Sequence, residues 1–431
     1  MKTDKLAFLI IKALSYPVSF LPIRLIHFLG ALLGNLAYYT LHKFRKRTLS
    51  NLSLAKDLCY SEKELIQTAK KSFKNLAITC LEYAKLSWVS KIESFVKCKN
   101  PKVAQEIIDK GKGVIFFCGH QANWELLFLE GTLRMPGVAI GRPIKNRYLY
   151  NWVVSIREKF GGTIIPPKSA IKEGFRALKR GRFFGILGDQ GMPESEYAFD
   201  FFGRRAWTTP APALLAYKTQ CPIVVATILR KHFKYEIHYS DPIWPRKEAG
   251  LEDEVKRMMQ ESLDLLEEKI RLAPDQWLWQ HNRWKQETPI HLYYRFRVDS
   301  ILIVLPNIDT CFKHFLKHLH TFREIYPKAF LTLFIPKRFE NQVNLKEAEV
   351  LTYKMFDDLL IRDYRFKLVF NFFGKTSEIK KHFLKLSAFE IYDSQSIKKL
   401  AKPHNLPGDD FSLLLKKALT RPNTLWSAHA R

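Results

Sequence analysis

A histidine and a carboxylate lie close together in the stretch G-H-Q-A-N-W-E, residues 119–125, with four residues between His120 and Glu125. An alcohol is a poor nucleophile at neutral pH, and an imidazole beside its hydroxyl can take the proton. A carboxylate can fix the tautomer of that imidazole and stabilise its protonated form. The pair is therefore suited to activating a hydroxyl group. Taken alone, it also fits a structural histidine whose ring is hydrogen bonded in a core.

The position of this pair predicts a turn between a strand and a helix. On a straight helix, five positions turn two side chains roughly 140° apart. His120 and Glu125 can therefore face each other only if His120 lies in the turn before the helix that carries Glu125. Gly119 fits such a turn, and we expect Asn123 to cap the helix. The backbone N–H groups at this helix start would suit a developing oxyanion or a phosphate.

The pattern around the pair predicts strands alternating with helices. The predicted strands are 114–118, 139–141, 163–165, 183–187 and 223–229, and the predicted helices are 65–86, 125–133, 148–160 and 170–179. Such alternation is typical of an α/β fold whose mixed, largely parallel sheet is covered by helices on both faces. Ligand sites in these sheets lie beyond the carboxyl ends of the strands. His120 and Asp189 both fall there.

A second, smaller α/β domain is predicted after Trp284. A strand at 300–305, a helix at 312–326, a strand at 329–335 and a further strand at 367–372 make a βαβ pattern. We therefore predict three parts: a membrane anchor with a basic cluster at 1–47, a catalytic domain at 48–290, and a Rossmann-like domain at 298–431.

The N-terminal segment predicts attachment to a membrane. Residues 25–41 are mostly apolar but slightly short of the ~20 residues that span a bilayer. Four polar residues fall close to one line on this helix: Arg24, His27, Asn35 and His42. Such a helix can lie in the interface, or span with its polar stripe against protein. A buried helix of the main domain is the remaining alternative. The basic cluster at 43–47 would sit among anionic headgroups on the cytoplasmic side.

The composition indicates an anionic partner. The 431 residues carry a formal charge of +28, which suits phospholipid headgroups, a phosphorylated glycolipid, an acidic carrier protein or nucleic acid. Basic and aromatic residues are not interleaved as in a nucleic-acid-binding strip, which disfavours a binding protein with a degenerate site. The six cysteines form no CxxC and no metal-ligand spacing, so we expect neither a metal nor a cofactor.

Further motifs follow in order along the chain. They are the arginine-bearing stretch 141–146 with Arg142, a second arginine at Arg157, the G-D-Q of residues 188–190, the stretch F-F-G-R-R-A-W-T-T-P at 201–210, and the tryptophan-rich stretch 274–285. Together with residues 119–125, they resemble the bacterial lipid A secondary acyltransferases, a branch of the lysophospholipid acyltransferase superfamily. The resemblance runs from the N-terminal anchor to about residue 285.

The resemblance implies a mechanism and a location. His120 would be the general base and Glu125 its partner, with no covalent acyl-enzyme. The residues expected to bind substrate are Arg142, Arg157, Asp189 and Gln190. The donor would be a thioester on acyl carrier protein, and the acceptor a hydroxyl of an acyl chain on an anionic Kdo-lipid A precursor. A glycerophospholipid or a phosphoinositide mannoside is the alternative acceptor. The enzyme would work at the inner membrane, with its catalytic domain on the cytoplasmic face.

The C-terminal third is not needed for that chemistry. It faintly resembles the N-terminal half of heptosyltransferase-type glycosyltransferases. Their glycine-aspartate after the first strand is replaced by Asn307-Ile308-Asp309, and a second lobe is missing. We therefore expect a non-catalytic docking domain, and some acyl transfer after deletion of residues 298–431.

Overall fold

The computed structural model describes residues 2–401 and 410–421, which belong to two compact units. The first unit comprises Met1–Leu41 and Ala55–Arg283, and the second comprises His42–Leu54 and Trp284–Arg431. The chain thus contributes one helix to the second unit before it returns to the first. The predicted boundary at residue 47 divides that helix between the anchor and the catalytic domain, because a short basic helix has no pattern that reveals which core it joins.

The structure places helices and strands in alternation through most of both units. The helices are α1 (Lys2–Phe20), α2 (Ile23–Thr40), α3 (His42–Leu54), α4 (Glu62–Leu86), α5 (Lys102–Asp109), α6 (Glu125–Arg134), α7 (Arg147–Arg157), α8 (Ala170–Lys179), α9 (Ala211–Thr219), α10 (Leu251–Leu272), α11 (Asp309–Ile325), α12 (Thr376–Lys385), α13 (Ser394–Ala401) and α14 (Phe411–Leu419). The strands are β1 (Val96–Cys98), β2 (Val114–Cys118), β3 (Gly137–Ile140), β4 (Thr163–Ile165), β5 (Phe183–Leu187), β6 (Ala198–Phe201), β7 (Arg204–Trp207), β8 (Ile223–Lys231), β9 (Lys234–Tyr239), β10 (Ser300–Val304), β11 (Phe330–Pro336), β12 (Ala348–Tyr353), β13 (Leu368–Asn371) and β14 (Glu390–Asp393).

The first unit is built on a seven-stranded sheet with the order β1-β9-β8-β2-β5-β3-β4. Its pairs are parallel except for the β8–β9 hairpin, so the predicted mixed, largely parallel sheet is confirmed. Every residue of β2 is buried, as expected for a central strand covered on both faces. In register, Cys118 at the end of β2 lies beside Leu187 of β5 and Ala226 of β8. The residues that follow β2 and β5 therefore meet at one edge of the sheet.

Helices α1 and α2 turn apolar side chains outward. The exposed large hydrophobic residues of these helices are Leu6, Leu9, Ile10, Ile11, Leu14, Tyr16, Phe20, Leu25, Phe28, Leu32, Leu33, Leu36 and Tyr39. On α2 the buried side, which includes His27, Gly30 and Gly34, packs against α4. Over residues 2–401 and 410–421, no helix has both the length and the hydropathy needed to cross a bilayer.

The second unit has a five-stranded parallel sheet with the order β12-β11-β10-β13-β14. This is the predicted second, smaller α/β domain. Helix α3 belongs to it: Lys46 Nζ donates to the carbonyl oxygen of Ala388 at 2.7 Å, and Ser50 Oγ donates to that of Arg365 at 2.8 Å. Burial and the neighbouring charge of Arg45 lower the pKa of Lys46. Lys46 of the basic cluster at 43–47 therefore has a partner inside the protein.

Deleting the C-terminal domain is expected to expose the buried side of α3. Leu49, Leu52 and Leu54 are each at most 3% exposed, and burial of a leucine contributes about 1.5–3 kcal/mol. We expect a chain ending at residue 297 to aggregate, and the same truncation with Leu49→Gln and Leu52→Gln to remain more soluble. Size-exclusion chromatography of both proteins checks this. Equal solubility of the two truncations would contradict it.

Candidate active site

The turn after β2 places His120 at the carboxyl edge of the sheet. The backbone N–H of Gln121 donates to the carbonyl oxygen of Gly119 at 2.8 Å, and Ala122 adopts a left-handed conformation with φ +47°. Helix α6 then begins at Glu125, as predicted. The expected cap is wrong: α6 has no side-chain cap, and Asn123 instead donates from Nδ2 to Glu82 on α4 at 2.8 Å.

His120 is paired with Asp189, the residue two positions after β5. The ring Nδ1 of His120 lies 2.7 Å from Oδ1 of Asp189, and the backbone N–H of His120 donates to Oδ2 at 2.7 Å. A side chain at Gly119 would crowd this contact, since an added Cβ would lie 3.2 Å from Oδ2 of Asp189. Both paired side chains are buried, with Asp189 fully inaccessible. The adjacency of β2 and β5 thus joins two residues that are 69 positions apart.

The environment of Asp189 keeps it ionised. Burial by itself would raise the pKa of Asp189, but the charge of His120, the hydrogen bonds from His120 and the charge of His281 hold that pKa well below its ordinary value. Trp277 Nε1 also donates to Oδ2 of Asp189 at 2.7 Å. With a carboxylate on Nδ1, the imidazole keeps a proton there and leaves its Nε2 lone pair available as a base.

The Nε2 side of His120 faces the side chain of Gln190, which is exposed. The amide nitrogen of Gln190 lies 3.3 Å from Nε2 of His120. The rings of Trp124 and His281 pack against the imidazole, with centroids at 5.0 and 5.7 Å. Burial lowers the pKa of His281 to about 4, and the charge of Asp189 opposes that shift. A hydroxyl in place of the Gln190 amide would therefore meet the basic nitrogen of His120.

Glu125 is held by Arg157 rather than by His120. Arg157 on α7 donates from Nε to Oε2 and from Nη2 to Oε1, both at 2.6 Å, and Trp124 Nε1 donates to Oε1 at 3.0 Å. Burial would lower the pKa of Arg157, but the charge of Glu125 raises it well above its usual value. The predicted pairing of His120 with Glu125 is not among the hydrogen bonds of these residues. The predicted substrate ligand Arg157 is already engaged in a two-pronged ion pair.

A mostly apolar cavity opens beside the Glu125–Arg157 pair. Its empty space, counted with its open mouth, is about 630 Å³. Strands β2, β3, β4, β5, β8 and β9, helices α6 and α7, and the turn before α6 contribute to its lining. The lining residues are Phe116, Cys118, Trp124, Glu125, Leu127, Phe128, Ala139, Ile140, Arg157, Ile164, Phe183, Gly185, Ile186, Leu187, Ala226 and Tyr239. Trp124 lines this cavity and also packs on His120. The base and the apolar space are therefore neighbours.

Comparison with known proteins identifies the family of this chain. The sequence model of the family described as bacterial lipid A biosynthesis acyltransferase matches residues 3–286, about two thirds of the chain. The chain is also similar to the lipid A biosynthesis lauroyltransferase of Escherichia coli strain K12. The two are 23% identical over 273 residues, which cover 62% of this chain and 87% of that enzyme. This chain belongs to the bacterial lipid A biosynthesis acyltransferases. The resemblance stated from the motifs is confirmed, and the protein is an acyltransferase.

The other motif residues of the acyltransferase lie around the same edge of the sheet. Arg142 is exposed in the segment after β3. Gly141 before it passes close to the cavity wall, since an added Cβ would lie 2.3 Å from Ile164 and 3.4 Å from Arg157. Arg142 is therefore placed near the cavity with its charge facing solvent.

The stretch 201–210 includes the end of β6 and the whole of β7, which form a hairpin. Arg283 contacts this hairpin and the residue that follows it. The guanidinium of Arg283 is buried, lies 4.8 Å from the ring centre of Phe201, and donates to Thr208 Oγ1 at 2.9 Å. Burial lowers the pKa of Arg283 to about 10, and the charge of Asp189 opposes that shift. Arg283 therefore carries a positive charge that supports the ionised Asp189.

Sequence reasoning missed the role of Trp277 and His281. Both lie in the tryptophan-rich stretch 274–285, whose residues the sequence alone does not connect to Asp189. A buried tryptophan N–H needs an acceptor, and Asp189 offers a carboxylate at the sheet edge. The signal was therefore present, but only the fold shows that residues 189 and 277 meet.

Proposed function

We propose that the protein transfers a fatty acyl group from an acyl carrier protein thioester to a hydroxyl of an acyl chain on a Kdo-lipid A precursor. The observation that supports this most is the orientation of His120, with Nδ1 on Asp189 and Nε2 toward the exposed Gln190. An imidazole oriented in this way can act as a general base on a hydroxyl group placed beside Nε2. Family membership supports a lipid acceptor.

The proposed reaction needs one base and two positioned lipids. Nε2 of His120 takes the proton of the acceptor hydroxyl as its oxygen attacks the thioester carbonyl carbon. The tetrahedral intermediate collapses, the C–S bond breaks, and the leaving thiolate takes the proton back from the imidazolium. Asp189 stabilises the imidazolium while it exists. Compared with the sequence-based proposal, Asp189 replaces Glu125 as the partner of His120.

The apolar cavity is the proposed site for a fatty acyl chain, because most of its lining side chains are apolar. Gly185 lies on this wall, and a Cβ there would lie 3.3 Å from Ala139. We expect Gly185→Val to shift the preference toward shorter acyl thioesters. Each methylene that no longer fits costs roughly tenfold or more in kcat/KM. A series of donors of different chain length measures this, and an unchanged preference would contradict the assignment.

The acceptor's phosphates are proposed to contact Arg142. Its guanidinium is exposed beside the cavity, whereas that of Arg157 is bound to Glu125. A guanidinium suits a phosphate because it offers parallel N–H donors. The formal charge of +28 favours the approach of an anionic glycolipid and of an acidic carrier protein alike.

Attachment to the cytoplasmic face of the inner membrane is proposed to use the outward faces of α1 and α2. Leu32 and Leu36 are 60% and 58% exposed on α2. Replacing both by aspartate should weaken binding to anionic phospholipid vesicles by about tenfold per side chain. Ile171→Asp on α8, where Ile171 is 56% exposed, is the matched control and should bind as the wild type does. Flotation measures both, and equal flotation of all three proteins would contradict the proposal.

Mass spectrometry of lipid A tests the proposed acceptor and donor class. Cells that lack the gene should lose one secondary acyl chain from lipid A, and the gene for the His120→Ala variant should not restore it. Unchanged lipid A together with altered phospholipids or phosphoinositide mannosides would favour the alternative acceptor.

A further inference from the structure

A buried carboxylate on α4, Glu82, joins three separate elements of the first unit. It is 3% exposed and accepts from His27 Nε2 on α2 at 2.6 Å, from Asn123 Nδ2 at 2.8 Å, and from the Tyr235 hydroxyl on β9 at 2.6 Å. A buried carboxylate persists only where several donors satisfy it. Burial, followed by the charge of Glu82, raises the pKa of Tyr235 well above its ordinary value, so its hydroxyl remains a donor. Both carboxylate oxygens of Glu82 therefore have donors within the protein.

One arm of this cluster reaches the turn that carries His120. Asn123 is three residues after His120, and Ala122 between them holds a positive φ that is uncommon for an alanine. Two further bonds fix the same turn: Thr79 Oγ1 on α4 donates to the carbonyl oxygen of Ala122 at 3.0 Å, and the backbone N–H of Ala122 donates to the carbonyl oxygen of Gln276 at 2.6 Å. A strained turn persists when its surroundings over-determine it. Glu82 helps to hold this turn in place, because it accepts a hydrogen bond from Asn123.

The other arm reaches α2, the helix with the exposed apolar side. Gly30 and Gly34 let α2 lie against α4, since an added Cβ would lie 2.7 Å from Ile78 Cα and 2.4 Å from Lys74 Cα. His27 lies on this buried side and meets Glu82. A continuous series of hydrogen bonds, His27–Glu82–Asn123, therefore connects α2 with the turn that carries His120.

We propose that Glu82 is a positioning residue of the acyltransferase, which holds the turn of His120 through Asn123 and is itself held by His27. This inference rests on the proposed role of His120 as general base. Glu82 acts through Asn123 rather than on His120 directly, because its hydrogen bonds run to His27, Asn123 and Tyr235. Its contribution is to the placement of Nε2 of His120 relative to the hydroxyl, where small displacements lower the rate of the chemical step.

Four variants of the full-length protein separate a positioning role from a loss of stability. Asn123→Ala and His27→Leu each remove one arm of the cluster. Tyr235→Phe removes a donor to the same carboxylate that comes from β9 rather than from the turn or from α2, and is the matched control. We expect the first two to lower kcat at least tenfold, with KM for both substrates within about twofold and a pH profile of unchanged shape. Tyr235→Phe should keep kcat within twofold, and His27→Gln, which retains a donor, should recover most of the activity lost in His27→Leu.

Hydrogen–deuterium exchange over residues 119–126 gives a readout that needs no substrate. It should become faster in Asn123→Ala and His27→Leu, and should stay at the wild-type rate in Tyr235→Phe. The inference is overturned if Asn123→Ala keeps kcat within twofold, if Tyr235→Phe loses as much kcat as Asn123→Ala, or if exchange over 119–126 is unchanged in all variants. Failure of the proposed function would show separately, as acyl transfer in the His120→Ala protein.

Discussion

Asp189→Asn is expected to lower kcat for acyl transfer by about 10²- to 10⁴-fold while the protein stays folded. One oxygen of Asp189 accepts from two N–H groups, the backbone of His120 and the indole of Trp277. The single oxygen of an asparagine must therefore stay on that side. Its NH₂ group would then face Nδ1 of His120, which moves the ring proton to Nε2 and removes the base.

Trp277→Phe is the control for that variant. It removes one donor to Asp189 but leaves the contact between Nδ1 of His120 and Oδ1, so we expect a loss of tenfold or less. Steady-state kinetics with both substrates saturating, together with thermal unfolding of each variant, makes the comparison. A kcat for Asp189→Asn within threefold of the wild type would refute the role of Asp189.

The Glu125–Arg157 pair gives the second large expected effect. Glu125 is 5% exposed, and removing one partner of a buried ion pair costs about 3–5 kcal/mol. Because Arg157 is 21% exposed, we expect values near the lower end for Glu125→Gln and for Arg157→Gln. The double variant should lose less free energy of unfolding than the sum of the two, because the second substitution removes the charge that the first left unpaired.

The losses of activity should likewise not add, because both residues line the apolar cavity and are bound to each other. Both single variants and the double variant should show similar losses of kcat/KM. Denaturant unfolding and initial rates for the four proteins complete the cycle. If Glu125→Gln abolished turnover while Arg157→Gln left it intact, Glu125 would act on His120 directly, as the sequence alone suggested.

The sequence predicted the sheet well because strands such as Val114–Cys118 and Phe183–Leu187 are continuous apolar runs between helices of clear period. It also placed His120 and Asp189 at the same sheet edge, since both follow strands. It did not reveal β9, which pairs antiparallel with β8, nor the short hairpin at 198–207, because these strands are partly exposed and carry no continuous apolar run.

The hydrogen-bond partners of the site residues could not be predicted from the sequence, for a physical reason. The direction of Glu125 at the first position of α6 depends on where α7 packs, and α7 offers it Arg157. The polar stripe of α2 was visible, and its His27 is buried against protein, yet its partner Glu82 is 55 residues away. Spacing along the chain locates polar side chains on a face. Only the packing of elements decides which of them meet.

The central claim is that His120 is the base that activates an acceptor hydroxyl for acyl transfer. Its most direct test is the rate of transfer of a labelled acyl group from an acyl carrier protein thioester to a Kdo-lipid A precursor, with purified wild-type and His120→Ala proteins. We predict that His120→Ala lowers kcat by about 10²- to 10⁴-fold with little change in KM or in thermal stability. A folded His120→Ala protein that transfers acyl groups within a few-fold of the wild-type rate would contradict the mechanism.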